Sequence, residues 1–247
     1  MTIRPYPSPN YNDRPGNCQP DMVVLHYTGM ETGQGALERL CDPKAEVSAH
    51  YLIEESGETY QLVEPDKRAW HAGISHWQGR DNLNHYSIGI ELVNPGHEFG
   101  YRSFPETQIA CLLELLQTLK QRYGIKKHMY VGHSDIAPDR KEDPGEKFPW
   151  QQLASEGFGI WSEVNGNSQQ ALLDDSAAVS QREMIIVLQE KLRSIGYGIE
   201  ISGVYDKLTT ACVRAFQRRW RQKHVTGEYD AGTDRIVNDI IYQYSQF

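Results

Sequence analysis

After Trp161 the chain changes character. Residues 165–176 are dominated by Asn, Gln, Ser and Asp with few large apolar groups, and read as a linker. This divides the 247-residue chain into two folding problems: a larger unit at residues 1–164 and a smaller one at 180–247, joined by 165–179. The smaller part is helical by spacing. Ile185, Leu188, Leu192 and Ile195 recur at helical intervals, as do Val213, Phe216 and Trp220. Gly203-Val204-Tyr205-Asp206 followed by Thr209 returns as Gly227-Glu228-Tyr229-Asp230 followed by Thr233, an offset of 24 residues. Each copy reads as a turn and then an Asp that caps a helix. A small all-α, three-helix domain is predicted.

The larger part alternates. Its first 20 residues, rich in Pro, Asn and Gly, read as an extended arm. Met22-Val23-Val24-Leu25 is a buried strand that ends at His26. Gly35 to Cys41 reads as a short helix stopped by Asp42-Pro43. Ser48–Ile53 and Thr59–Val63 read as strands joined by a turn, and Ser87–Val93 as another. In that last strand Ile88 and Ile90 share one face while Gly89 and Glu91 share the other. Pro105–Tyr123 is a helix, with Pro in its first turn, a Leu-rich face and Gly124 after its end. Met129–Val131 is a short strand leading to Gly132-His133, followed by a polar loop from Ser134 to Pro149. The pattern predicts an α/β domain, a central mixed β-sheet flanked by helices.

Charge and composition remove several functions. With 25 basic and 33 acidic residues, the net charge of −8 argues against a nucleic-acid binder. No apolar run is long enough for a transmembrane segment. The start of the chain lacks the apolar core of a signal peptide, which points to the cytoplasm. The four cysteines, at 18, 41, 111 and 212, form no C-x-x-C and suggest no disulfide framework. Histidine is concentrated instead, with eight of nine in the first 133 residues. That raises the prior for metal or acid–base chemistry there.

His26 and His133 each end a strand, and Asp143 follows ten residues after His133. Two imidazoles and a carboxylate suit Zn²⁺ and leave a fourth position for water. By pattern alone, a histidine at a strand end serves a structural or surface role more often. Glu91 either faces solvent or is held in a site. Lys141 is either an ordinary loop charge or a cation that stabilises a developing oxyanion.

Five segments together make the pattern specific. Val24-Leu25-His26-Tyr27-Thr28, Val47-Ser48-Ala49-His50-Tyr51-Leu52-Ile53, Ala69-Trp70-His71-Ala72-Gly73-Ile74-Ser75, Ser87-Ile88-Gly89-Ile90-Glu91 and the run Gly132 to Gly145 resemble, in order, the motifs of zinc-dependent N-acetylmuramoyl-L-alanine amidases. The family is similar to phage amidases and peptidoglycan recognition proteins. The resemblance implies zinc ligands His26, His133 and Asp143. It implies Glu91 as general base and Lys141 as stabiliser of the tetrahedral intermediate. It suggests that His50, Tyr51, Trp70, His71 and Trp77 line the cleft, with Arg80 and Asn94 as further candidates for substrate contact. Asp135 and Arg140 match the ligand loop and are expected to shape it.

Residues 180–243 resemble a three-helix peptidoglycan-binding domain. The expected activity is hydrolysis of the amide between N-acetylmuramic acid and L-alanine, in peptidoglycan or released muropeptides, for wall turnover or recycling. The alternatives are a non-catalytic peptidoglycan-recognition module and a zinc-stabilised structural domain. Retention of Glu91, Lys141 and Asp143 favours the enzyme over the first. Only three ligands, none of them Cys, argue against the second. A wall-binding domain implies the periplasm or cell envelope, in conflict with the cytoplasmic reading of the N-terminus.

Overall fold

A computed structural model describes residues 2–16, 18–172 and 178–247. The centre of the expected linker, residues 173–177, lies outside the described residues. The strands are β1 (Ile3–Pro5), β2 (Tyr11–Asp13), β3 (Met22–Tyr27), β4 (Tyr51–Ile53), β5 (Thr59–Gln61), β6 (Lys67–Ala69), β7 (His76–Trp77), β8 (Arg80–Asp81), β9 (Ser87–Leu92) and β10 (Tyr130–Gly132). The helices are α1 (Gly33–Cys41), α2 (Gly96–Phe99), α3 (Glu106–Tyr123), α4 (His133–Ile136), α5 (Trp150–Ser155), α6 (Ala178–Ile195), α7 (Lys207–Trp220) and α8 (Ala231–Tyr244).

The apolar runs form the middle of a six-stranded mixed sheet, in the order β1-β5-β4-β9-β3-β10. β4, β9, β3 and β10 run parallel, while β4 and β5 form an antiparallel pair. Near-continuous burial of β3 and β9 is what a covered parallel sheet requires. The N-terminal arm is not loose. β1 adds to the sheet edge beside β5, and β2 pairs with β6.

Helix α3 buries Ile109, Leu112, Leu115, Leu116 and Leu119. Each such side chain contributes roughly 1.5–3 kcal/mol. Gly124, with φ 66°, ends the helix in the left-handed region open to glycine. Gly89 is required for a different reason: a Cβ there would lie 2.4 Å from the His71 ring. That ring lies over the middle of β9, on the face that carries the site.

The C-terminal part contains α6, α7 and α8. The repeated Asp residues cap as their spacing predicts: Asp206 accepts from Thr209 N at 2.7 Å and Asp230 from Thr233 N at 2.8 Å. A buried glutamine secures each preceding turn. Gln189 Oε1 accepts from Gly203 N and Gln217 Oε1 from Gly227 N. The polar stretch before α6 is laid against these helices: Arg221 donates to Gly166 O and Ser168 O, and Ala231 N to Gln170 O. Sheet and C-terminal helices share one continuous apolar cluster.

Candidate active site

His26 and Glu91 are register partners on the adjacent parallel strands β3 and β9. Cross-strand partners present their side chains on the same face, so the sheet places a carboxyl beside an imidazole. His133 opens α4, one residue beyond β10, rather than ending the strand. Asp143 is returned to it by the loop, whose closure is fixed by a bond from Ser134 N to Asp143 O at 2.8 Å.

His26, His133 and Asp143 are all buried. Their facing atoms form a small triangle. His26 Nδ1 lies 2.9 Å from His133 Nδ1 and 3.0 Å from Asp143 Oδ2, and His133 Nδ1 lies 2.9 Å from the same oxygen. No placement of protons satisfies all three edges. If both nitrogens carry hydrogen, the two N–H groups confront each other. If one does not, its lone pair faces the carboxylate or finds no donor. A cation among the three atoms resolves this, and the donor set is one that suits zinc.

The remaining ring nitrogens fix the tautomers in the sense a metal needs. His133 Nε2 donates to Ala72 O at 3.3 Å. His26 Nε2 donates to His71 Nδ1 at 3.1 Å; His71 Nε2 donates to Ser87 Oγ at 3.1 Å; and Ser87 Oγ donates to Leu83 O at 2.7 Å. Both Nδ1 lone pairs are thereby left facing Asp143.

Electrostatics separates the two carboxyls. Burial alone would raise Asp143; without a metal, any proton carried by the facing nitrogens of His133 and His26 more than reverses this and lowers the carboxyl below its usual range. Burial, reinforced by the charge of Asp143, holds Glu91 well above the usual carboxylate range, against the pull of Lys141. Glu91 Oε2 is buried without a hydrogen-bond partner. Burial and His133 lower His26 to about 4, and burial with Arg14 lowers His50 to about 3.

A cleft of about 430 Å³ opens over the triangle. Trp70, His71, Glu91, Arg140 and Lys141 line it with the three donors. His50, Tyr51 and Trp77 do not. His50 is fully buried at the head of β4, edge-on to the His71 ring, accepting from Gly89 N at 2.9 Å and donating to Lys67 O at 3.1 Å. Tyr51 belongs to the apolar core. Trp77 is fully buried edge-on to Tyr197, ring centroids 5.1 Å apart, against the C-terminal helices. Arg80 pairs with Asp21 at 2.8 Å, and buried Asn94 donates to Arg102 O, so neither reaches the cleft. Arg140 donates to Ala72 O and Ile74 O, and Asp135 accepts from Gly132 N at 2.8 Å.

Tyr27 and His97 also line the cleft, with Tyr27 Oη donating to His97 Nδ1 at 3.0 Å. They were not among the expected residues. The signal for Tyr27 was its place directly after His26; His97 sits in α2, a single turn too short to show periodicity.

Fold and residue set define a class: an α/β domain built around a two-histidine, one-carboxylate donor cluster, with a helical appendage. Residues 16–146 match the family model described as N-acetylmuramoyl-L-alanine amidase, and residues 181–235 one described as a peptidoglycan binding domain. The N-acetylmuramoyl-L-alanine amidase AmiD of Escherichia coli is 34% identical over 244 residues, covering 91% of this chain and 83% of that protein. The 1,6-anhydro-N-acetylmuramyl-L-alanine amidase AmpD of the same organism is 39% identical over 168 residues, 61% of this chain and 89% of that one. The structure of E. coli AmiD with anhydro-N-acetylmuramic acid-L-Ala-D-γ-Glu-L-Lys superposes with a TM-score of 0.79 at 33% identity, covering 96% of this chain and 94% of that one. Pseudomonas aeruginosa AmpDh3 with an anhydromuramic pentapeptide gives 0.76 at 32%, covering 93% and 94%. The chain belongs to the N-acetylmuramoyl-L-alanine amidase family.

Proposed function

We propose that this amidase hydrolyses the amide between N-acetylmuramic acid and L-alanine with zinc held by His26, His133 and Asp143. The triangle of donor atoms that no set of protons satisfies carries the metal assignment. When bound there, zinc supplies Lewis acidity at neutral pH to a poor electrophile. The protein's own groups do the rest. Glu91, with a raised pKa and an unpartnered oxygen, takes a proton from the attacking water and returns it to the leaving amine. The Lys141 ammonium, on the cleft wall, stabilises the oxyanion that develops on the carbonyl. His71 and Ser87 hold the His26 ring in the tautomer that frees Nδ1. Trp70, half-buried on the cleft wall, offers an apolar face to a sugar ring.

The substrate is a muramyl peptide, in polymer or released form. A γ-linked glutamate in such a peptide keeps its α-carboxyl free, and the stem ends in another, so the substrate is acidic. The match of residues 181–235 to a peptidoglycan-binding family supports action at the cell envelope, and no described helix is long and apolar enough to cross a membrane. Mass spectrometry of products from peptidoglycan and from soluble muropeptides tests the reading. Stem peptides with a free L-alanine terminus should appear, vanish with a chelator and return with zinc. Retention on the polymer without cleavage by the zinc-loaded protein would reject it.

A further inference from the structure

A second groove, of about 650 Å³, lies between the loop Pro138–Glu142 and helix α7. It shares a wall with the catalytic cleft, because Arg140, Lys141 and Glu142 line both. A molecule seated at the donor triangle therefore needs only to cross this loop to enter it. The groove is cationic in a chain whose net charge is −8. Arg140, Lys141, Lys207, Arg214 and Arg218 face it, against Asp139, Glu142 and Asp206. Two of those acids are already engaged. Glu142 is paired with Arg218, which removes one charge of each sign, and Asp206 caps α7; Arg140 is held by Ala72 O and Ile74 O, which leaves Lys207 and Arg214 as the exposed cations.

Two details favour an anion over a merely solvated surface. Arg214 lines the groove and is exposed; it donates to Thr226 O and has no ion-pair partner among the described residues. Lys207 occupies the first position of α7, where the helix dipole disfavours a cation, and has no ion-pair partner among the described residues.

We propose that this groove binds a carboxylate of the substrate's peptide stem, so that the C-terminal helices contribute to substrate selection through α7. On the amidase reading, the occupant is the acidic distal end of a stem whose first amide lies at the donor triangle. Sugar rings carry no charge to match the unpaired Lys207 and Arg214; the stem does.

The test uses two muramyl pentapeptides that differ only in a free or amidated C-terminus, with muramyl-L-alanine as a short reference. The full chain, zinc-loaded, is compared with the Lys207→Gln/Arg214→Gln variant; both side chains are exposed and outside the catalytic machinery. The native chain should favour the free acid by about fivefold in kcat/KM, the scale of an exposed ion pair. The variant should lose that preference while cleaving the short reference unchanged. An acid preference that survives in the variant, or is absent from the native chain, overturns the groove assignment. Should no substrate be cleaved, the amidase reading fails, and calorimetric binding of the two pentapeptides then decides the groove by the same comparison.

Discussion

At Glu91, burial and the charge of Asp143 act in the same direction, and both oppose ionisation. A general base works only when ionised. In the metal-free protein the Glu91 carboxyl should keep its proton above the ordinary carboxylate value of about 4.3, and carboxyl NMR titration from about pH 4 to about pH 8 reads it directly; ionisation at the ordinary value would mean that burial does not hold Glu91 protonated. Glu91→Gln should lower kcat by about 10²–10⁴-fold while zinc content is unchanged. His71 acts through a different property. It holds the back of the His26 ring and passes the constraint on to Ser87. His71→Phe keeps the ring volume but removes both nitrogens. Zinc affinity, read by competition with a chromophoric chelator, should fall by about 10–100-fold. Equal affinity in the two proteins would mean that packing alone orients His26.

The element that joins the site to the rest of the molecule is the loop from His133 to Asp143. Its first turn is held by Asp135, which is 1% exposed and accepts from Tyr197 Oη at 3.1 Å and Arg219 Nη1 at 2.6 Å. Arg219 lies between the Trp150 and Trp220 rings, 4.4 Å from each centroid, and also donates to Tyr130 O. Removing one partner of a buried ion pair strands the other, at a cost of roughly 3–5 kcal/mol. Arg219→Met should lower the thermal midpoint and weaken zinc binding together, and adding Asp135→Asn should recover part of both. If zinc affinity were untouched while stability fell, the loop would not depend on this support. The contact also marks where sequence reading stops. His26, Glu91, His133 and Asp143 were legible because strand ends and ordered motifs point to them, and α3 and the two Asp caps because periodicity and spacing are local. Arg219 was not, since a cation on an amphipathic helix reads as solvent-facing and its partner is 84 residues away. Trp77, His50 and Tyr51 fail for the converse reason: a buried aromatic and a cleft aromatic have the same local sequence. The strands β6 to β8 are short and polar, with no alternation to detect.

Across the whole molecule, the sheet and the C-terminal helices are bound into one unit. Trp220 Nε1 donates to Ile160 O, Gln222 to Phe148 O and Gln243 to Trp161 O, across the same continuous apolar core. Such a chain should unfold in one transition, with tryptophan fluorescence and far-ultraviolet dichroism coincident in urea. Two separated transitions would mean that the helices are an independent module. Acid should act on this single unit with a definite sign. In the metal-free protein, burial holds the imidazoles of His26, His50 and His71 neutral well below the ordinary histidine value, to about 4 for His26 and about 3 for His50. The unfolded chain takes up those protons near pH 6.5, so between there and the folded values it binds more protons than the native state. Stability should therefore fall as pH decreases through this window, by up to roughly 1.4 kcal/mol per histidine for each pH unit, with the raised Glu91 carboxyl offsetting the equivalent of one histidine where it takes up its proton. Urea midpoints of the chelated protein at about pH 7.5 and about pH 5 measure it directly; equal midpoints would require those imidazoles to ionise inside the fold as freely as in water.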